Sequence, residues 1–319
     1  MAFTVSRSTE EWAFHFGATD RTVVSVGNFD GLHLGHQKIL ESVRNRARTM
    51  GHCSTVVTFD PHPMRVLHPD HPQLMIQTLA QRLSGLERLG LDAALVLRFD
   101  RALSLVSPTD FIERILVGCL HVGAILIGAN FRFGHRGAGD VRLLTEFGKH
   151  HAFEVQIVPP VEVDGQVVSS TAIRSAVAAG QVAEAMPLLG RAFSLTGEIH
   201  AGAGRGRTIL VPTLNVVPEQ ELLPKLGVYA TECVVGGTVY PSVTNVGTRP
   251  TFDGHGVTVE SHLFGFSQDL TAGPMEVRFY SRIRDEQKFA GPDALRAQIA
   301  RDMEAAQKYF SARAITRPS

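Results

Sequence analysis

Two hydrophobic rhythms divide this chain, and the point where one gives way to the other restricts its folds more than any single motif. Up to Gly190, short apolar runs at 23–26, 53–59, 93–99, 122–127 and 154–158 are interleaved with helix-spaced stretches at 37–48, 78–89 and 182–189. Ser107-Pro108-Thr109-Asp110 opens a further helix, with proline in its first turn. Strands and helices alternating at these lengths predict a parallel, doubly wound α/β sheet. From Phe193 onward only strand-like runs follow, at 193–199, 208–217, 228–235, 239–246, 257–266 and 275–283, with turns at Gly236-Gly237 and Phe252-Asp253-Gly254. That rhythm predicts an antiparallel β-barrel. Leu295, Ile299 and Met303 then recur at helical spacing and predict a closing helix over 292–310. The boundary falls near 187–191, giving domains 1–187 and 188–319.

A chain of 319 residues can bury two cores of this kind. Its 31 basic and 31 acidic side chains cancel, so no overall field draws it to nucleic acid or to an anionic membrane. Small charged substrates held by local groups remain open. Cys53, Cys119 and Cys233 form no CxxC pair and each adjoins an apolar run, which predicts buried free thiols. The N-terminal residues lack the apolar core of a signal peptide, and no apolar run reaches membrane-spanning length, so a cytoplasmic location is expected. Oligomeric state is left open.

Ligands of a doubly wound sheet bind at the carboxyl ends of its strands. After the first run the chain reads GNFDGLHLGH (27–36), placing His33 and His36 beside a helix start. The unpaired N–H groups and positive dipole end there suit a polyphosphate, with two imidazoles as further donors. The second run ends in Asp60-Pro61-His62-Pro63, where the prolines stiffen a loop or shape a ligand site. After 122–127 comes Ala129-Asn130-Phe131-Arg132-Phe133-Gly134, whose two phenylalanines read first as core. Further on, Ser169-Ser170-Thr171 precede Arg174 by one turn. Three hydroxyls exceed the needs of a helix cap and, with Arg174, suit an anion.

The second half holds a glycine-rich segment, 202–208, followed by Pro212-Thr213-Leu214-Asn215. It lacks the GK[ST] ending of a Walker loop and could serve only as a turn. Thr213 and Asn215, however, alternate onto one side of a strand, where their oxygens can hold Mg²⁺ and phosphate. Glu260 lies in the apolar run VESHL; it is read as a general base, with structural ion pairing as the other option.

Taken in order, GNFDGLHLGH, TFDPHP, NFRFG, SSTAIR, GAGRGRT with PTLN, Gly227-Val228-Tyr229, SVTNVGTRPTF (242–252), VESHLF and RDEQKF (284–289) resemble the prokaryotic bifunctional riboflavin kinase/FMN adenylyltransferases. The resemblance implies a Rossmann-like nucleotidyltransferase domain followed by a riboflavin kinase barrel, acting on riboflavin, FMN and ATP with Mg²⁺. It implies that His33 and His36 act on the ATP phosphates, with Gly27, Phe29, Asp30 and Gly35 around the nucleotide and Ser170, Thr171 and Arg174 on the β and γ phosphates. Asp60, Pro61, His62, Pro63 and Asn130 are expected on the flavin side. In the kinase, Glu260 is the implied base, Thr213 and Asn215 hold the metal and phosphates, and Gly204, Arg205 and Gly206 form the loop beside ATP.

Three positions depart from the family pattern. Leu210 and Leu214 replace glycine and alanine around PTLN, and Ala129 replaces an acidic residue. The added bulk beside a phosphate loop leaves one alternative, an adenylyltransferase with an impaired kinase; a further alternative of a different class is a sensor that binds flavin or nucleotide without turnover.

Overall fold

The computed structural model describes residues 2–71, 73–200, 212–251, 254–268 and 270–316. They divide into two units between Ser169 and Ser170.

The first unit is built on six strands: β1 (Thr4–Ser6), β2 (Thr22–Val26), β3 (Cys53–Asp60), β4 (Ala93–Arg98), β5 (Val122–Gly128) and β6 (Glu154–Val158). Their order across the sheet is β1-β4-β3-β2-β5-β6, and every pairing is parallel. Alternate residues of one strand serve opposite faces. Val24 and Val26 of β2 join a core with Trp12, Ile112, Leu116, Ile125 and Ile127, while Val23 joins the other with Leu40, Val43, Leu86 and Leu126. Both faces are therefore covered by helices, which explains why these strands read as continuous apolar runs. Chain order reverses where β2 lies beside β5, with β3 on its other side, and this opens a crevice at their carboxyl ends.

Two features were not legible beforehand. β1 and the helix Thr9–His15 occupy the N-terminal residues, and the helix begun at Pro108, capped by Ser107 as expected, continues as a π-helical stretch over Phe111–Val117. Phe133 is buried in the core, with Phe131 stacked on it at 5.5 Å, so the core reading of both holds. All three cysteines are free thiols; Cys233 is buried, but Cys53 and Cys119 are only half-buried, because they lie at the ends of their apolar runs.

A two-stranded ribbon, β7 (Glu162–Val163) and β8 (Gln166–Val167), closes the first unit. The second begins with the helices Ser170–Ala178 and Val182–Leu189, and then forms a closed barrel from β9 (Phe193–His200), β10 (Leu214–Pro218), β11 (Gly227–Val235), β12 (Thr238–Thr251), β13 (Gly254–Leu263) and β14 (Pro274–Asp285), in the order β10-β13-β12-β11-β14-β9. All barrel pairings are antiparallel.

Inside the barrel Phe193, Leu195, Val216, Tyr229, Val259, Val277 and Phe279 are buried together with a set of hydroxyls. Thr231 Oγ1 lies 2.8 Å from Ser242 Oγ and 2.6 Å from Thr244 Oγ1, which is 2.7 Å from Ser261 Oγ. Because each hydroxyl has a partner, the network escapes the cost of an unpaired buried polar group. On the outer face, Val228, Ala230 and Val243 pack against Met303, Ala306, Tyr309 and Phe310 of the helix Pro292–Thr316.

Candidate active sites

The first site grows from the loop between β2 and the helix Leu34–Met50. His33 is the N-cap of that helix, its Nδ1 accepting from the His36 N–H at 3.3 Å. An Nδ1 that accepts carries its ring proton on Nε2. The two imidazoles stack at 3.6 Å, and the edge of Phe29 meets His36 at 5.2 Å. Burial holds the His36 pKa well below 6.5, aided by the neighbouring His33 and Arg82. His36 is therefore neutral at pH 7, and its Nδ1 is enclosed without a hydrogen-bond partner.

The loop is held in a costly shape. Phe29 and Leu32 have left-handed backbone, at φ 50° and 41°, which costs about 1–3 kcal/mol each. Their side chains are 2% and 3% exposed, and burying a Phe or Leu contributes about 1.5–3 kcal/mol, enough to offset that strain. Gly27 and Gly35 leave room for rings: a Cβ on either would sit 3.2 Å from Phe29 or 3.1 Å from His33. Asp30 is 2% exposed and its carboxylate accepts from the N–H groups of Ile76 and Gln77 at 3.1 Å. It thus ties the loop to a segment far along the chain.

Asp60 ends β3, the strand beside β2, and Pro61, His62 and Pro63 follow it. His62 is buried and caps the short helix Pro63–Leu67, its Nδ1 accepting from Met64 N–H at 3.2 Å. Asn130 is exposed after β5, on the other side of β2. The topology therefore brings the three predicted loops of this unit to adjacent strand ends. Ser170, Thr171 and Arg174 occupy the first turns of the helix Ser170–Ala178, in the second unit.

The second site is a row across three strands. Asn215 on β10 pairs in register with Glu260 on β13, and Glu260 with Asn245 on β12. Directly opposed residues share a face, and Val259 and Ser261 point inward, so this row lies on the outer face of the barrel. Glu260 and Asn245 are half-buried, and the Asn215 Oδ1 is enclosed without a hydrogen-bond partner. Thr213 stands exposed just before β10, and the His262 Nδ1 donates to the preceding Pro212 carbonyl at 2.8 Å, which fixes the start of that segment. Oxygen donors of this kind fit a hard cation such as Mg²⁺. Gly204, Arg205 and Gly206 lie outside the described residues, as does Leu210. Leu214 is buried and pairs with Ser261, so its bulk enters the barrel interior, away from Asn215 and Glu260.

Asn245 was missed in the sequence because it stands in an otherwise ordinary strand. Its signal was positional: it and Glu260 are the polar members of the same outward row.

A family model described as FAD synthetase matches residues 16–172, and one described as riboflavin kinase matches 189–310. The bifunctional riboflavin kinase/FMN adenylyltransferase of Escherichia coli (strain K12) is 36% identical over 298 residues, which cover 93% of this chain and 94% of that protein. The proteins of the same description from Pseudomonas fluorescens and Bacillus subtilis (strain 168) are 37% and 35% identical, covering 89% and 91% of this chain and 92% and 93% of their own. Among solved structures, a Streptococcus pneumoniae chain described as a macrolide-efflux protein superposes with a TM-score of 0.86 at 31% identity, covering 96% of this chain and 99% of that one. The two domain models in this order, with relatives aligned over nearly their full length, place the chain in the bifunctional riboflavin kinase/FMN adenylyltransferase family.

Proposed function

We propose that the chain makes FAD from riboflavin in two steps, with FMN formed on the barrel and adenylylated in the first domain. The observation that carries this reading is the outward row Asn215, Glu260 and Asn245, a carboxylate flanked by two amides beside Thr213. A binding module has no need of a base there.

In the kinase step the terminal ribityl hydroxyl attacks the γ-phosphorus of ATP. Its proton passes to Glu260, and the bond to the β–γ bridging oxygen breaks to release ADP. Thr213 and Asn215 would hold Mg²⁺, which when bound neutralises phosphate charge; the enclosed Asn215 Oδ1 supports that role. Gly204, Arg205 and Gly206 are assigned to the ATP loop by resemblance.

In the transfer step a phosphate oxygen of FMN attacks the α-phosphorus of a second ATP, and the bond to the α–β bridging oxygen breaks, releasing pyrophosphate. No protein nucleophile or base is required. His33 and neutral His36 are assigned to the phosphoryl oxygens where charge develops, His36 having a single N–H to donate. Gly27, Phe29 and Gly35 shape the nucleotide side, Asp30 fixes that loop, and Asp60, Pro61, His62, Pro63 and Asn130 are assigned to the flavin side. Ser170, Thr171 and Arg174 are assigned to the β and γ phosphates by resemblance. We assign functional domains of 1–187 and 188–319.

No helix among the described residues is long and apolar enough to cross a membrane, and we place the enzyme in the cytoplasm. The transport implied by the pneumococcal protein's description leaves Glu260 and the histidine pair without a task. The impaired-kinase reading loses force from the inward orientation of Leu214. Incubation with riboflavin, ATP and Mg²⁺, followed by chromatography of the flavins, tests the proposal. FAD from riboflavin is the expected product. FAD from supplied FMN alone would leave the kinase dead, and no product would leave a sensor.

A further inference from the structure

Arg82 is 3% exposed and adjoins His36, yet no step of either reaction is assigned to it. It is carried on the helix Leu79–Arg88. Its Nη1 donates to the Asn28 carbonyl at 2.6 Å, and its Nη2 to the Phe59 carbonyl at 3.2 Å. Asn28 belongs to the GNFDG loop and Phe59 is the penultimate residue of β3, next to Asp60-Pro61, so one guanidinium joins the ATP loop to the end of the strand that carries the flavin-side segment. Only its planar fork can reach two carbonyls with separate donors at fixed spacing.

The same segment grips the first loop twice more. The N–H groups of Ile76 and Gln77 hold the Asp30 carboxylate, and Leu32 packs so closely on Gly85 that a Cβ there would lie 2.3 Å from its Cδ1. Asp30 and Asp60 supply the negative charge that keeps a buried cation tolerable at this point.

We infer that Arg82 is a positioning residue that sets the ATP loop and the flavin loop of adenylyl transfer in register with each other, so that its loss weakens both substrates together. The inference rests on the proposal that the first domain performs that transfer. Each carbonyl contact is a charge-assisted hydrogen bond, so losing both should raise KM for ATP and for FMN by about tenfold each, with a smaller fall in kcat because no reacting atom is touched.

The test is steady-state kinetics of FMN adenylylation by Arg82→Gln and Arg82→Lys in the full chain, with riboflavin phosphorylation as the internal control. Arg82→Gln should raise both KM values and leave the kinase unchanged; Arg82→Lys keeps the charge without the fork and should recover part of the loss. If Arg82→Gln fails to fold, the lysine variant decides, through a KM rise of more than twofold for both substrates. KM values within twofold of the parent in a folded variant would overturn the inference, as would a rise for only one substrate. If the parent itself made no FAD from FMN, the functional reading would fail instead.

Discussion

Replacing Asp302 by alanine removes the anchor of the closing helix. Asp302 is 5% exposed and Arg284 on β14 is 19% exposed, and the guanidinium donates to both carboxylate oxygens at 2.8–3.1 Å. Gln298 adds a third donor from one turn earlier, at 2.8 Å. Breaking such a pair from one side leaves a buried charge without its partner, a cost of about 3–5 kcal/mol. For a domain of this size that corresponds to a fall in melting temperature of about 6–20 °C. Calorimetry on the full chain should show the second unit's transition move down while the first unit's stays. Aliquots heated between the old and new midpoints should lose riboflavin phosphorylation before FMN adenylylation. The paired change Arg284→Met with Asp302→Leu should recover most of the loss, since two apolar groups of similar volume need no solvent. A loss under about 1 kcal/mol for Asp302→Ala would refute the argument, because the pair would then be behaving as a surface ion pair.

Four further outcomes are expected. Glu260→Gln should lower riboflavin phosphorylation by about 10²–10⁴-fold with FMN adenylylation nearly intact, and His36→Ala should do the reverse; chromatography of the flavins checks both. The His36 pKa is depressed in the folded state, so below about pH 6.5 the unfolded chain binds a proton that the folded chain refuses. Stability of the first unit should therefore fall as the pH drops from 6.5, by about 1.4 kcal/mol per unit, and His36→Gln should flatten that slope in denaturant titrations. Burial raises all three thiols to about 11, so iodoacetamide at pH 8 should label the native chain slowly and the unfolded chain fully, as counted by mass spectrometry. Leu214→Ala should cost about 2–5 kcal/mol as a core truncation while leaving the kinase KM for ATP within twofold.

What the sequence disclosed follows from how local each determinant is. The histidine pair was legible because a strand, a glycine-rich turn and a helix start are consecutive in the chain, and the barrel was legible because period-two runs survive in each strand. β1 escaped because three residues are too few to show a period. Arg82 escaped because it stands among the polar positions of a helix whose apolar stripe is Leu79, Leu83 and Leu86, and nothing nearby announces that loops around residues 28 and 59 will close over it. Asp30 drew attention as a nucleotide contact, whereas its carboxylate is occupied by amides 46 and 47 residues away. Leu214 looked like an obstruction beside a phosphate loop; the pleat of the strand turns it the other way.

The row of Asn215, Glu260 and Asn245 has a consequence for what length changes this protein can tolerate. Its members come from three strands and meet only because the hairpin between β12 and β13, and the pairing of β13 with β10, fix one register. One added residue within β13 would turn Glu260 into the hydroxyl-lined interior and expose Val259 or Ser261, whereas two would restore the original facing. Riboflavin phosphorylation is thus a parity check on the barrel: an assay of chemistry that reports whether the strands were counted correctly during folding.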